Sequence, residues 1–154
     1  MTTTTKTNKQ KPKTAIKALA DYLECKMGHL SKETYSHYGL EVFSNGREQY
    51  AVGTDSEADE ACFENIKESV WAFCSIFICS YCDLPQELAD AIESMQKEKC
   101  ESANDAILAL IEKTQGGLQG FVDEAISADG RGHFLSSYDG DEIELNGFYA
   151  YRIN

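Results

Sequence analysis

Three groups of residues have the types and spacing to carry chemistry. The first is Cys79-Ser-Tyr-Cys82, a CxxC pair with Cys74 five residues earlier. Two thiolates at that interval can share one metal at about 2.3 Å, which is half of a structural zinc site. No second pair follows: Cys25, Cys62 and Cys100 are scattered, and no histidine falls at a matching interval. A redox role wants the motif at a helix N-terminus after a strand. Here it falls at the C-terminal end of a predicted helix, where the dipole raises a thiol pKa. The six cysteines are therefore expected as thiols filling helix faces, with no metal and no cofactor.

The second group is the glycine-rich segment 128–140, ADGRGHFLSSYDG. Arg131 and His133 could hold an anion, and Asp129, His133, Asp139 and Asp141 could ligate a metal. Ser136 or Ser137 beside His133 could make a nucleophile–base pair. No GxSxG elbow or GxxxxGK phosphate cradle enforces any of these. The competing reading is structural and takes precedence over ligand contact and catalysis. In it His133, Phe134, Leu135 and Tyr138 pack the loop across the last helix, and Arg131 pairs with a carboxylate.

The third group is acidic. Glu57, Glu60, Glu64 and Glu68 recur at helical spacing, with Asp55 and Asp59 close by. Like charges so placed cost about 0.2–0.5 kcal/mol per pair, so a solvated helix face tolerates them without any purpose. The functional alternative is nucleic-acid mimicry. At a ~1.5 Å rise the row carries about one charge per 5 Å, far below the one per ~1.7 Å of duplex DNA. Mimicry would need Asp139, Asp141, Glu142 and Glu144 on the same side.

Charge bounds the partners. The 154-residue chain carries −12, but five lysines sit in the first 17 residues with no acid among them. From Ala18 onward nine basic residues face 26 acidic ones, a balance of −17. Such a body repels nucleic acid and is drawn to basic surfaces, or is simply soluble. Residues 1–13 are expected to be a disordered basic arm, the one segment suited to touching nucleic acid directly. The arm has no secretory h-region, and the longest apolar run, Val70 to Ile78, is broken by Cys74-Ser75. No membrane span is expected, and the predicted location is the cytosol.

Periodicity supplies the elements that must position these groups. Thr14 can cap a helix with Ile16, Leu19, Leu23 and Met27 on one face, ended by Gly28. From His37 the period becomes two, through Leu40 and Val42 to Asn45-Gly46 and on to Tyr50 and Val52, a hairpin pattern. Thr54 to Glu57 reads as a capping box opening one long helix to about Ser80, with Cys62, Ile66, Val70, Phe73 and Phe77 inward and Trp71 and Cys74 widening the stripe. Three further helices carry Leu88-Ile92-Met95, Ala103-Ile107-Leu110-Ile111 and Leu118-Phe121-Val122-Ala125-Ile126. Gly116-Gly117 separates the last two, and Asp129-Gly130 ends the series. A second hairpin turns at Asn146-Gly147. The expected fold is a single α+β domain over 14–154. It has one antiparallel sheet of about four strands from the two Asn-Gly hairpins, with four to five helices on one face.

The runs YAVGTDSEADEACFENIKESVWAF, ADGRGHFLSSYDGDE and FYAYRIN resemble small cytosolic proteins encoded by bacteriophages and mobile elements, over about residues 35–154. That family is functionally uncharacterised, so no catalytic residues carry over. Small acidic phage proteins include inhibitors of host defence, anti-CRISPR proteins among them. The resemblance thus implies a non-enzymatic inhibitor in the host cytosol. Its partner would be a host protein or protein–nucleic-acid complex with a basic surface, such as a CRISPR effector or a restriction enzyme. Glu57, Glu60, Glu64, Glu68, Asp139, Asp141 and Glu142 would face that partner, with aromatic anchors such as Tyr149 or Tyr151. Two other readings stand beside it. One is an accessory protein of another phage protein. The other is a small enzyme or ligand-binding protein using Asp129, Arg131, His133, Ser136 and Tyr138.

Overall fold

Three tight turns fold the sheet, and two of them are of the kind in which both central residues take positive φ. A computed structural model describes residues 14–154; the expected basic arm over 1–13 lies outside the described residues. Five antiparallel strands, β1 (Ser31–His37), β2 (Leu40–Asn45), β3 (Glu48–Gly53), β4 (Ile143–Glu144) and β5 (Tyr149–Arg152), stand in the order β1-β2-β3-β5-β4. Asn146 and Gly147 turn β4 into β5 at φ 49° and 103°. That is the I′ geometry the Asn-Gly pair predicts. The first Asn-Gly pair is offset by one residue. Asn45 pairs with Glu48, so the turn is Gly46-Arg47 with only Gly46 (φ 64°) at positive φ, the II′ pattern. The third turn is Tyr38 (φ 50°) and Gly39 (φ 89°), which folds β1 back onto β2. It adds the strand that the expected four lacked. β1 is an edge strand, largely exposed and irregular in register between Lys32 and Ser36, and it shows no apolar alternation.

The sheet is covered on both faces rather than one. Phe43, Val52 and Ala150 face α1 (Ala15–Tyr22), which buries Ala15, Ala18, Leu19 and Ala20 against them. The alternate residues Val42, Ala51 and Tyr151, in register across three strands, face α2 (Asp55–Ser69) and α6 (Gly117–Leu135). α1 is capped by Thr14 as expected but ends at Tyr22, so Met27 falls in a separate 3-10 turn and is exposed. Beyond the sheet, α3 (Ser75–Tyr81), α4 (Ala89–Lys99) and α5 (Asn104–Glu112) join α2 and α6 around an all-helical core of Ile66, Val70, Ile78, Ile107, Ile111 and Phe121. Among the described residues no helix is long and apolar enough to cross a membrane.

The predicted helix over 54–80 is broken. α2 stops at Ser69, a 3-10 turn spans Val70–Ala72, and Phe73 is extended (φ −70°, ψ 151°) before α3 begins. Aromatic packing provides the physical reason. Extension at Phe73 sends its ring among Phe77, Phe121 and Phe134, with centroids 5.9, 5.1 and 6.0 Å away. Pairs of this kind contribute about 0.5–1.5 kcal/mol each beyond area burial. Backbone groups freed by the break find side-chain partners. Trp71 N–H donates to Asn104 Oδ1 (3.1 Å), Asn104 Nδ2 donates to the Lys67 carbonyl (2.8 Å), and Gln96 Nε2 donates to the Phe73 carbonyl (2.7 Å). Asn104→Ala, which removes two of these bonds, should lower unfolding stability by about 1–2 kcal/mol. Urea denaturation measures it, and a midpoint equal to wild type would contradict this account of the break.

Candidate functional site

Two glycines place Arg131. Gly130 (φ 79°, ψ 158°) bends the chain out of the helical path within α6, and the last turn, Arg131 to Leu135, resumes beyond it. Segment 128–140 is thus not the continuous loop that its glycines suggest, because a helical turn occupies its middle. At Gly132 an added Cβ would collide with the Gly140 carbonyl oxygen and lie 2.7 Å from Asp141 C. Only glycine lets this turn press against the 140–142 backbone. That approach sets Arg131 beside Glu142.

The guanidinium is the centre of a carboxylate cluster. Nη1 donates to Asp55 Oδ1 (2.8 Å) and Asp59 Oδ1 (2.9 Å) on α2, and also to the Asp55 carbonyl (3.2 Å). Nε and Nη2 fork onto Glu142 at 2.7 and 3.2 Å. Glu142 Oε2 also accepts from the Tyr151 hydroxyl (2.5 Å), and the Tyr149 ring lies under the guanidinium at 4.5 Å. The Arg131 side chain is only 10% exposed. Burial works against its charge, but the hydrogen bonds to Glu142 and Asp55 outweigh burial and hold it protonated. Burial, then the bond to Glu142, pushes the Tyr151 hydroxyl up. Burial raises the Cys62 thiol beneath the cluster to about 12.

The rest of the segment is also engaged internally. Ser136 is buried; its hydroxyl lies 2.7 Å from Asp139 Oδ1 and 2.8 Å from the Arg152 carbonyl, and accepts from Gly140 N–H (3.2 Å). Asp139 also accepts from Asp141 N–H (3.0 Å); the bond from Ser136, then this one, holds its carboxyl below the usual range. Among the described residues the Ser136 hydroxyl makes no hydrogen bond to His133. His133 is exposed and stands edge-on to Phe134 at 4.9 Å. Tyr138 is exposed and stacks under Arg152 at 3.8 Å. Asp129 and His133 sit elsewhere, on the rim of a groove of about 320 Å³ floored by Phe73, Phe77 and Phe134. The residues grouped as one loop site therefore divide between a structural cluster and a groove. Sequence reasoning missed that groove because it read Val70 to Phe77 as continuous helix; Cys74-Ser75 was the one signal of a break.

The acidic row divides as well. Glu57 closes the capping box: its Oε2 accepts from Thr54 N–H (2.8 Å) while Thr54 Oγ1 accepts from Glu57 N–H (3.3 Å). Asp55, Asp59 and Glu142 belong to Arg131. Glu60, Glu64 and Glu68 have no hydrogen bond or ion pair among the described residues, and Glu60 and Glu68 are exposed. The cysteine pair is split between a buried Cys79 and a half-buried Cys82, whose thiol is raised by burial and then by its neighbour. Comparison of the chain with protein-family models, curated proteins and solved structures finds no match in any of the three.

Removing the guanidinium tests the cluster. Arg131→Ala leaves Glu142 and the Tyr151 hydroxyl without their cation. Because Asp55 and Asp59 are more than half exposed, the expected loss is about 1–3 kcal/mol rather than the full penalty of a buried pair. Arg131→Lys should recover only part of it, since an ammonium cannot make the fork. Thermal unfolding checks the order wild type, lysine, alanine; full stability with lysine would show that charge alone suffices.

Proposed function

We propose that this chain is a non-enzymatic binding protein that docks through the free acidic row of α2 onto a basic surface of a partner. The context that best suits it is a phage-type inhibitor of a host defence complex, such as a CRISPR effector, working in the host cytosol. The observation that carries the reading is the division of the acids. Arg131 takes up Asp55, Asp59 and Glu142, while Glu60, Glu64 and Glu68 remain without ion pairs among the described residues. A row of unpaired carboxylates on a rigid helix speeds encounter with a basic surface and selects against acidic ones. Duplex mimicry has weaker support, because the cluster of acids nearest the row encloses a guanidinium. The enzyme alternative has less still, since Arg131 and Ser136 are committed to internal bonds.

Affinity capture with the tagged full chain from an infected or defence-bearing host tests this directly. A stoichiometric partner should come down with wild type and be lost with Glu60→Lys/Glu64→Lys/Glu68→Lys of unchanged circular dichroism. Its association rate should fall by about tenfold or more between low and physiological salt, because exposed charges are screened beyond ~8 Å there. A partner retained by the charge-reversed variant, associating at a salt-independent rate, would refute the acidic-row reading.

A further inference from the structure

The acidic row runs toward the end of α2 at which the helix break leaves a groove. Glu60, Glu64 and Glu68 recur every four residues along α2, and Ser69, the residue after Glu68 and the last of that helix, lines the groove together with Ala72. The floor is aromatic, from Phe73, Phe77 and Phe134, and the rim carries the Asp129 carboxylate. A second depression of about 540 Å³ continues past Phe73 and Cys74 to Trp71 and to Ile76, a residue left 58% exposed. The break that opens this space is held by hydrogen bonds from Asn104 and Gln96, so the groove needs no partner to form. An apolar recess of this size beside a row of like charges has complementary chemistry on both counts. It suits one bulky side chain in the recess and cations along the row.

We infer that the groove receives an aromatic side chain carried by a lysine- or arginine-rich segment of a partner protein, the cations of that segment lying along Glu60, Glu64 and Glu68. This rests on the acidic-row reading above and adds to it the anchor and the chemical class of the partner. Charge sets the approach; the aromatic anchor, buried on the phenylalanine floor, sets the lifetime.

Trp71 is the chain's one tryptophan and lines the continuing depression, so its emission reports occupancy. The full chain is titrated with two short lysine-rich peptides lacking tryptophan, one with a central phenylalanine and its twin with alanine there. The phenylalanine peptide should bind about tenfold or more tighter, as expected for burying one aromatic side chain. Ala72→Glu adds negative charge while obstructing the recess. It should bring the phenylalanine peptide down to the level of its twin without weakening the twin. Equal affinities for the two peptides in wild type, both lost in Glu60→Lys/Glu64→Lys/Glu68→Lys, would overturn the anchor and leave the acidic row standing. Failure of both peptides to bind at low salt would overturn the row and the anchor together.

Discussion

One guanidinium governs how this acidic chain holds together and which of its acids are left over. Arg131, at the end of α6, joins the segment entering β4 to the first turns of α2, which lie more than 70 residues away in sequence. Without a cation there, Asp55, Asp59 and Glu142 would crowd one another over the buried Cys62 and Tyr151. The planar fork meets all three acids at once. Nε and Nη2 face Glu142 while Nη1 reaches both aspartates, and Tyr149 covers the flat face. Both flanking glycines serve this placement, one by bending the helix and the other by admitting the 140–142 backbone.

A second constraint acts at the other end of α2. A helix continued to Ser80 would have kept every backbone bond internal. Instead the chain opens at Phe73, and Asn104 and Gln96 supply the missing partners, so that the ring joins the aromatic cluster of α3 and α6. The consequence lies on the surface. Where the helix departs from its line, a recess with a phenylalanine floor opens at the end of a row of unpaired carboxylates. The two ends of α2 thus differ in kind: Arg131 neutralises acids at the first, and none of the three that follow is paired among the described residues.

Local signals in the sequence were legible where one residue dictates the backbone. Asn146-Gly147 forms its I′ turn, Thr54 and Glu57 form their capping box, and the α+β class with both hairpins in one sheet follows from such signals. The turn at Tyr38-Gly39 was not legible, because tyrosine has no preference for positive φ and tertiary pairing imposes it. β1 left no trace of period two, since an exposed edge strand need not alternate. The break at Phe73 was masked by an apolar stripe that suits one helix or two. That Arg131 would pair was expected; which of 26 acids it would choose depends on a turn of helix inside an apparent loop.

The site of binding is the central claim, and chemical-shift mapping tests it most directly. Backbone amides of the isotope-labelled full chain are followed while the lysine-rich peptide bearing phenylalanine is added at low salt. The largest changes are predicted to run from Glu60 through Phe77 and to include Asp129 and His133, with Asp139 to Glu144 unmoved. Changes centred on residues 136–144, with α2 silent, would contradict it.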